Sequence, residues 1–273
     1  MNFRRQLMLA LVAIAASPIY AGDEFGIWTG LGAEKEITKR FSVDAGVDFR
    51  SGSNLEYAER WSGSLGLGFK VNSFLKLGAG YIYIHDYEHE NAKVNYNAKG
   101  RVNGYNVDHG YWRSKNRAFF DVIGSLKAGR FKFSLRERYV YTHSVATDVK
   151  RTRFRDKLAS GNAENLYPWN GENFLEMNEV MDHKPGKDKH QLRSRFKVEY
   201  NIPKCAFNPF VTYEFANDLS DGLDLDRTRL VVGTEWKITK QHVVSMGYLF
   251  QQGADGKHDG ALHVIDLGYK FKF

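Results

Sequence analysis

Arginine recurs at alternating positions within short stretches of this chain. Arg136 with Arg138, Arg193 with Arg195 and Arg227 with Arg229 stand in such stretches, and Arg50, Arg60, Glu199, Glu214 and Glu235 are further charges that the same alternation would turn inward. If these side chains share an enclosed space, each charge must be paired or hydrated. Guanidiniums gathered that way could line an anion-favouring passage or a ligand pocket. They could equally form a salt-bridge network that fills a small barrel, since open aqueous channels belong to barrels of about 16–18 strands.

Other stretches offer less chemistry. In "HDYEHE", His85 to Glu90, a strand would put His85, Tyr87 and His89 on one face, where two imidazoles could share a metal ion. No third ligand is identifiable, so a solvated rim is the plainer reading and no metal site is assigned. "DLSDGLDLDR", Asp218 to Arg227, has acidic residues but not the spacing of an EF-hand loop. "KRTRFRDK", Lys150 to Lys157, reads as a charge run that could touch lipopolysaccharide phosphates or simply be solvated. His143 beside Ser144, and His85 beside Asp86, cannot act as dyads by themselves, because neighbours in a strand point to opposite faces. No catalytic residue and no cofactor is assigned.

The elements that must hold the arginines have a period of two. Phe41, Val43, Ala45, Val47 and Phe49 share one face, and Ser42, Asp44, Gly46, Asp48 and Arg50 the other. Leu192, Ser194, Phe196, Val198 and Tyr200 oppose Arg193, Arg195, Lys197 and Glu199. Thr228, Leu230, Val232, Thr234 and Trp236 oppose Arg227, Arg229, Gly233 and Glu235. The pattern predicts strands near 24–34, 40–50, 58–70, 74–87, 116–128, 130–143, 189–201, 205–217, 226–238, 241–252 and 260–273. Bacterial barrels are usually even in strand number, so the expectation is 10–12 strands. Glu137 is a local exception, falling in register with Phe133 and Leu135.

Short and long links alternate between these strands. An up-and-down meander therefore has its tight turns at one end and its long loops, about 88–115 and 145–188, at the other. That asymmetry, with strands of roughly 10 residues or more, is that of a transmembrane β-barrel. The expected fold is all-β: a single antiparallel up-and-down transmembrane barrel with short periplasmic turns and long extracellular loops. Trp28, Phe41, Trp61, Phe74, Phe131, Trp236 and Phe271 sit near strand ends, where interfacial girdles place aromatics. The alternating face without bulky apolar residues mixes Gly, Ser and Thr with Arg and Glu, as a narrow filled lumen would.

Residues 1–21 have a basic start, an apolar run at Leu7–Ala16 and a small residue at Ala21, the pattern of a cleaved signal peptide. The expected mature barrel is 22–273. The formal charge of +7 falls to about +5 without Arg4 and Arg5. An exported chain with that surplus is expected to meet lipid and lipopolysaccharide phosphate, not nucleic acid. Cys205 is the single cysteine, so no internal disulfide framework exists.

"EKEITKRFSVDAGVDFR", "FLKLGAGYIYI", "GRFKFSLRERYVYTH", "LRSRFKVEYNIPKC" and "LGYKFKF" resemble hairpins of the bacterial outer-membrane family known as domain of unknown function 2490, frequent among Bacteroidota. The resemblance implies a barrel in the outer membrane of a Gram-negative bacterium and carries no activity. The last stretch also resembles the closing strands of outer-membrane barrels. That likeness implies that Tyr269, Phe271 and Phe273 belong to a signal read by the barrel-insertion machinery. The expected function is a structural scaffold or a narrow, porin-like passage for small solutes with a charged lumen. The alternatives are a barrel hydrolase or lipid-modifying enzyme at the extracellular rim, and a soluble periplasmic binding barrel.

Overall fold

A computed structural model describes residues 23–52, 55–157, 166–220, 222–253 and 260–273. The leader expected at 1–21 lies outside them. The strands in chain order are β1 (Glu24–Glu36), β2 (Phe41–Gly52), β3 (Tyr57–Lys70), β4 (Leu75–Glu88), β5 (Asn91–Tyr96), β6 (Val102–Asp108), β7 (Tyr111–Ala128), β8 (Phe131–Ser144), β9 (Thr147–Lys157), β10 (Tyr167–Trp169), β11 (Glu172–Lys184), β12 (Lys187–Tyr200), β13 (Phe207–Asp218), β14 (Asp224–Lys237), β15 (His242–Gly253) and β16 (Leu262–Lys272). They form two compact units, one comprising the chain up to Ile84, Lys115–His143 and Asp188–Phe273, the other His85–Ser114 and Ser144–Lys187.

The first unit is a closed barrel in the order β1-β16-β15-β14-β13-β12-β8-β7-β4-β3-β2. Eleven strands cannot alternate direction all the way round. The mismatch falls at one seam, where β1 and β16 run parallel from Glu24↔Leu262 to Glu34↔Lys272. The odd count is thus accommodated by closure between the first and last strands.

Three of the short links share one local device. In Ile37–Arg40, Val71–Phe74 and Ile238–Gln241 the second residue is Thr38, Asn72 or Thr239. Its side-chain oxygen accepts from the N–H groups two and three residues on: Arg40 and Phe41, Phe74 and Leu75, Gln241 and His242. Ser/Thr and Asn turns of this kind satisfy backbone donors that the ladder leaves behind. The link after β7 is tighter still, and Gly129 takes a φ of +59° there, a conformation glycine adopts at no steric cost.

The second unit is a five-stranded sheet in the order β10-β11-β9-β6-β5. These segments were expected as loops at about 88–115 and 145–188; instead they carry their own pairing and core. Val107, Phe154 and Phe174 are buried, with Tyr105 and Trp169 packed against them. Ring centroids lie 4.8 Å apart for Tyr105–Trp169 and 5.3 Å for Phe154–Phe174. Gly104 permits the close approach of β6 to β9, since a Cβ there would clash with the Phe154 carbonyl oxygen.

Candidate functional site

The two faces of the barrel wall are told apart by reach. Arg136 on β8 touches Glu214 on β13, although β12 lies between. A side chain can skip a strand in that way only on the concave side. Arg229 on β14 likewise comes within 5.0 Å of the Trp28 ring on β1, across β15 and β16. The interior face therefore carries Trp28, Arg136, Glu214 and Arg229 and the residues two positions away from them along each strand.

Glu214 is the hub of this interior. Register places Arg195, Glu214 and Arg229 side by side on β12, β13 and β14. Arg195 Nε donates to Glu214 Oε2 at 2.7 Å and Arg136 Nη2 to the same oxygen at 2.9 Å. Arg229 Nη1 lies 3.7 Å from Oε1, while its Nε donates to Gln251 at 2.6 Å. The next interior row toward the long links is Arg193, Ala216 and Arg227. Ala216 ends at its methyl group, so this row supplies no carboxylate of its own. Arg193 Nη2 donates to the neutral Gln191 amide oxygen at 2.7 Å, and Gln191 in turn donates to Asp226 at 2.6 Å.

Around the wall, Arg50 is the cross-strand neighbour of both Trp28 and Arg60. Its guanidinium carbon sits 3.9 Å from the Trp28 ring centroid, a cation–π distance. Arg138 forms a bidentate pair with Asp121 at 2.6 and 2.7 Å over the Phe119 ring. Trp28 is thus not a girdle aromatic, as its place near a strand end suggested. It is 8% exposed and faces inward, held by arginines.

Glu199 and Glu235 belong to a separate cluster nearer the short links. Lys197 Nζ donates to Glu235 at 2.6 Å, and Lys132, Lys197 and Lys237 approach Glu199 at 3.9, 3.7 and 4.0 Å. An interior cavity of about 770 Å³ runs from Lys132 and Lys272 to Arg195, Glu214 and Arg229. A smaller one of about 180 Å³ is lined by Glu24, Glu59, Arg60, Arg227 and Gln251, so acids and guanidiniums share it. Trp28, Arg50 and Arg229 border both, so these three side chains form the waist between them.

On the outward face, Tyr269 and Phe271 follow one another along β16, and Phe273 comes directly after its end. Tyr269 is hydrogen-bonded to His242 at 2.7 Å, and Phe271 and Phe273 meet edge to face at 4.5 Å. Glu137 also points outward, where it accepts a hydrogen bond from Ser194 at 2.5 Å beside Phe196 and Leu135. Ser194→Ala strips that carboxylate of its donor and is expected to cost about 1–2 kcal/mol. Adding Glu137→Leu should return most of the loss; urea unfolding of the refolded barrel measures both.

The rim histidines have partners that sequence spacing did not show. His143 Nδ1 is 2.7 Å from Asp188 on β12, and Tyr141 donates to the same oxygen at 2.8 Å. In the second unit, His85 stacks on Trp112 at 4.9 Å and its Nδ1 lies 3.3 Å from Ser114. Among the described residues no three His, Cys, Asp or Glu side chains gather as metal ligands. The charge run Lys150–Lys157 is strand β9, and much of it is internally satisfied. Arg151 pairs with Asp108 and Asp182, Lys150 with Glu179, and Arg155 donates to Asn106 and to the Tyr105 and Phe154 carbonyls.

Comparison with curated proteins finds no match. The family described as "Protein of unknown function (DUF2490)" matches residues 25–261. That span takes in the barrel strands from β1 to β15 and the whole second sheet, and it is the family that the hairpin sequences resemble. The chain, whose first unit is a closed β-barrel, belongs to this family.

Proposed function

We propose that the chain is an outer-membrane β-barrel, a scaffold enclosing a constricted passage for small solutes. One observation carries the reading: the solvent preferences of the barrel are inverted. Leu31, Val47, Leu65, Leu126 and Phe196 lie outward and exposed, whereas Glu214, Arg193, Gln191 and Thr212 are buried. Monomeric soluble proteins rarely expose a large contiguous apolar surface, because it invites association. A lipid bilayer removes that penalty and is matched by strands of this length. The partners on this reading are outer-membrane lipid, lipopolysaccharide and the machinery that inserts barrels.

Fractionation tests the location. The protein should stay with the outer membrane through a urea wash and migrate faster unboiled than boiled on a gel. Release by urea would leave a soluble periplasmic binding barrel in its place. Planar-bilayer recording tests the passage. A small conductance whose anion preference weakens in Arg136→Ala and Arg195→Ala supports it, and a silent, folded barrel reduces the role to scaffold.

A second reading, a lipid-modifying enzyme, is favoured by His143 and Asp188. The carboxylate at Nδ1 would orient the ring and leave Nε2 to move a proton. Acyl release from phospholipid or lipopolysaccharide that vanishes in His143→Ala would support it.

A further inference from the structure

The links at the two ends of the barrel wall differ in charge. The five short links, 37–40, 71–74, 129–130, 201–206 and 238–241, contain Lys39, Arg40, Arg130, Lys204 and Lys240 and no Asp or Glu. At the other end, links 53–56, 219–223 and 254–261 join neighbouring barrel strands directly. Their sequences hold Glu56, Asp221, Asp255 and Asp259 against Lys257 and His258. All five short-link bases are exposed. Arg130 reaches the Tyr200 hydroxyl at 3.5 Å, and the other four side chains form no hydrogen bond or ion pair among the described residues. The carboxylates nearest this end are largely engaged by other cations. Glu34 accepts from Lys270 at 2.9 Å and Glu235 from Lys197 at 2.6 Å, and Glu199 lies within 4.0 Å of three lysines. Glu36 is exposed, with Lys35 next to it in the chain.

Directly inside these links the outward face is aromatic. Phe41, Phe69, Phe131, Phe207 and Trp236 stand at the strand ends and are 37–46% exposed. In a bilayer, rings so placed mark the level where hydrocarbon gives way to headgroups. Links that begin just beyond the rings then lie at headgroup depth, where long Lys and Arg stems carry charge to phosphate oxygens. We infer that the short-link rim docks on anionic phospholipid headgroups and selects them over neutral ones. A phosphatidylcholine phosphate is matched by its own ammonium, whereas a phosphatidylglycerol phosphate has no cation of its own. Links that carry bases and no acid favour the second. The inference rests on the membrane reading and adds to it a lipid class and an end of the barrel.

Tryptophan quenching in mixed vesicles tests it. The full chain is refolded into equal parts of phosphatidylcholine and phosphatidylglycerol, with one or the other brominated in its acyl chains near the headgroup. Trp236 is the reporter at the basic end: Phe207 stacks on it at 5.5 Å, so the links carrying Lys204 and Lys240 both adjoin it. Brominated phosphatidylglycerol should quench roughly threefold more effectively than brominated phosphatidylcholine. The excess should shrink as salt rises. It should vanish in Trp236→Phe and survive in Trp61→Phe, because Trp61 is exposed toward the opposite end of β3. Lys204→Gln combined with Lys240→Gln should remove at least half of it.

Equal quenching by the two lipids, an excess that follows Trp61 instead, or an excess untouched by the double variant overturns the inference and leaves the membrane reading standing. A chain that neither brominated lipid quenches removes both. Heat-modified mobility on gels reports folding for each variant, and Lys240→Gln alone decides the matter if the double variant does not fold.

Discussion

Glu214→Leu is expected to lower the stability of the refolded barrel by about 3–5 kcal/mol, the usual cost of removing one partner from a buried charge cluster. Arg195 and Arg136 both donate to one oxygen of Glu214, and Arg229 approaches the other. Without the carboxylate, three guanidiniums face one another across the place it held. Glu214 itself is only 3% exposed, so water cannot easily take its place. Arg195→Leu removes a single arm and leaves Glu214 paired twice, so it should cost less than half as much. Urea midpoints at constant m-value measure both. Equal losses for the two variants would show that no hub exists.

Asp108→Asn is expected to open the second sheet, at a cost of about 3 kcal/mol. Asp108 is buried at the end of β6, where Arg151 donates to one oxygen and Lys184 to the other at 2.6 Å. Burial pushes its carboxyl up, but the hydrogen bonds and charges of Arg151 and Lys184 outweigh this and hold it below the ordinary aspartate range. A carboxylate held low in the folded state stabilises fully above its unfolded value, near 3.8, and loses that contribution as pH falls through the folded value. Limited proteolysis within 144–187 should therefore accelerate below about pH 4 in wild type. In Asp108→Asn cleavage should be fast at neutral pH and depend less on acid. A wild-type acid profile that persists in the variant would locate the sensitivity elsewhere.

The barrel strands were legible because their outward face is apolar almost throughout. The alternation of Phe41 to Phe49, or of Leu192 to Tyr200, survives in the structure as one face of β2 and one of β12. The second sheet was not legible for the opposite reason. Strand β9 sets Arg151, Arg153 and Arg155 at alternate positions with Lys150, Thr152 and Phe154 between or beside them, and it is built around ion pairs whose partners lie far away in sequence. Read locally, such a stretch is a charge run; only Asp108 and Asp182 reveal it as a strand. β10 is three residues long and offers no period to read.

The interior residues divide in the same way. Arg136, Arg195, Arg229 and Glu214 could be placed on one face by parity, and the structure brings them into contact. Parity could not say that they converge on one carboxylate, because register between strands is not written in either strand alone. Trp28 was misread because an aromatic near a strand end fits a girdle; the cue for the interior was its even spacing with Gly26, Gly30 and Gly32. Asp121 was overlooked although Arg117, Phe119 and Asp121 alternate with Ala118, Phe120 and Val122. His143 could not be paired with Asp188 from spacing, because the two are joined only through the pairing of β8 with β12.

The parallel seam also governs how this chain can be rewired. Barrels with an even number of strands bring their first and last strand ends to one rim, where a few residues can splice them into a circular permutant. Here β1 begins beside the start of β16 and ends beside its finish. A splice would have to travel the height of the paired run from Glu24 to Glu34, roughly 25 Å with strand tilt allowed for. Permutation is therefore closed to this barrel unless a strand is added or removed.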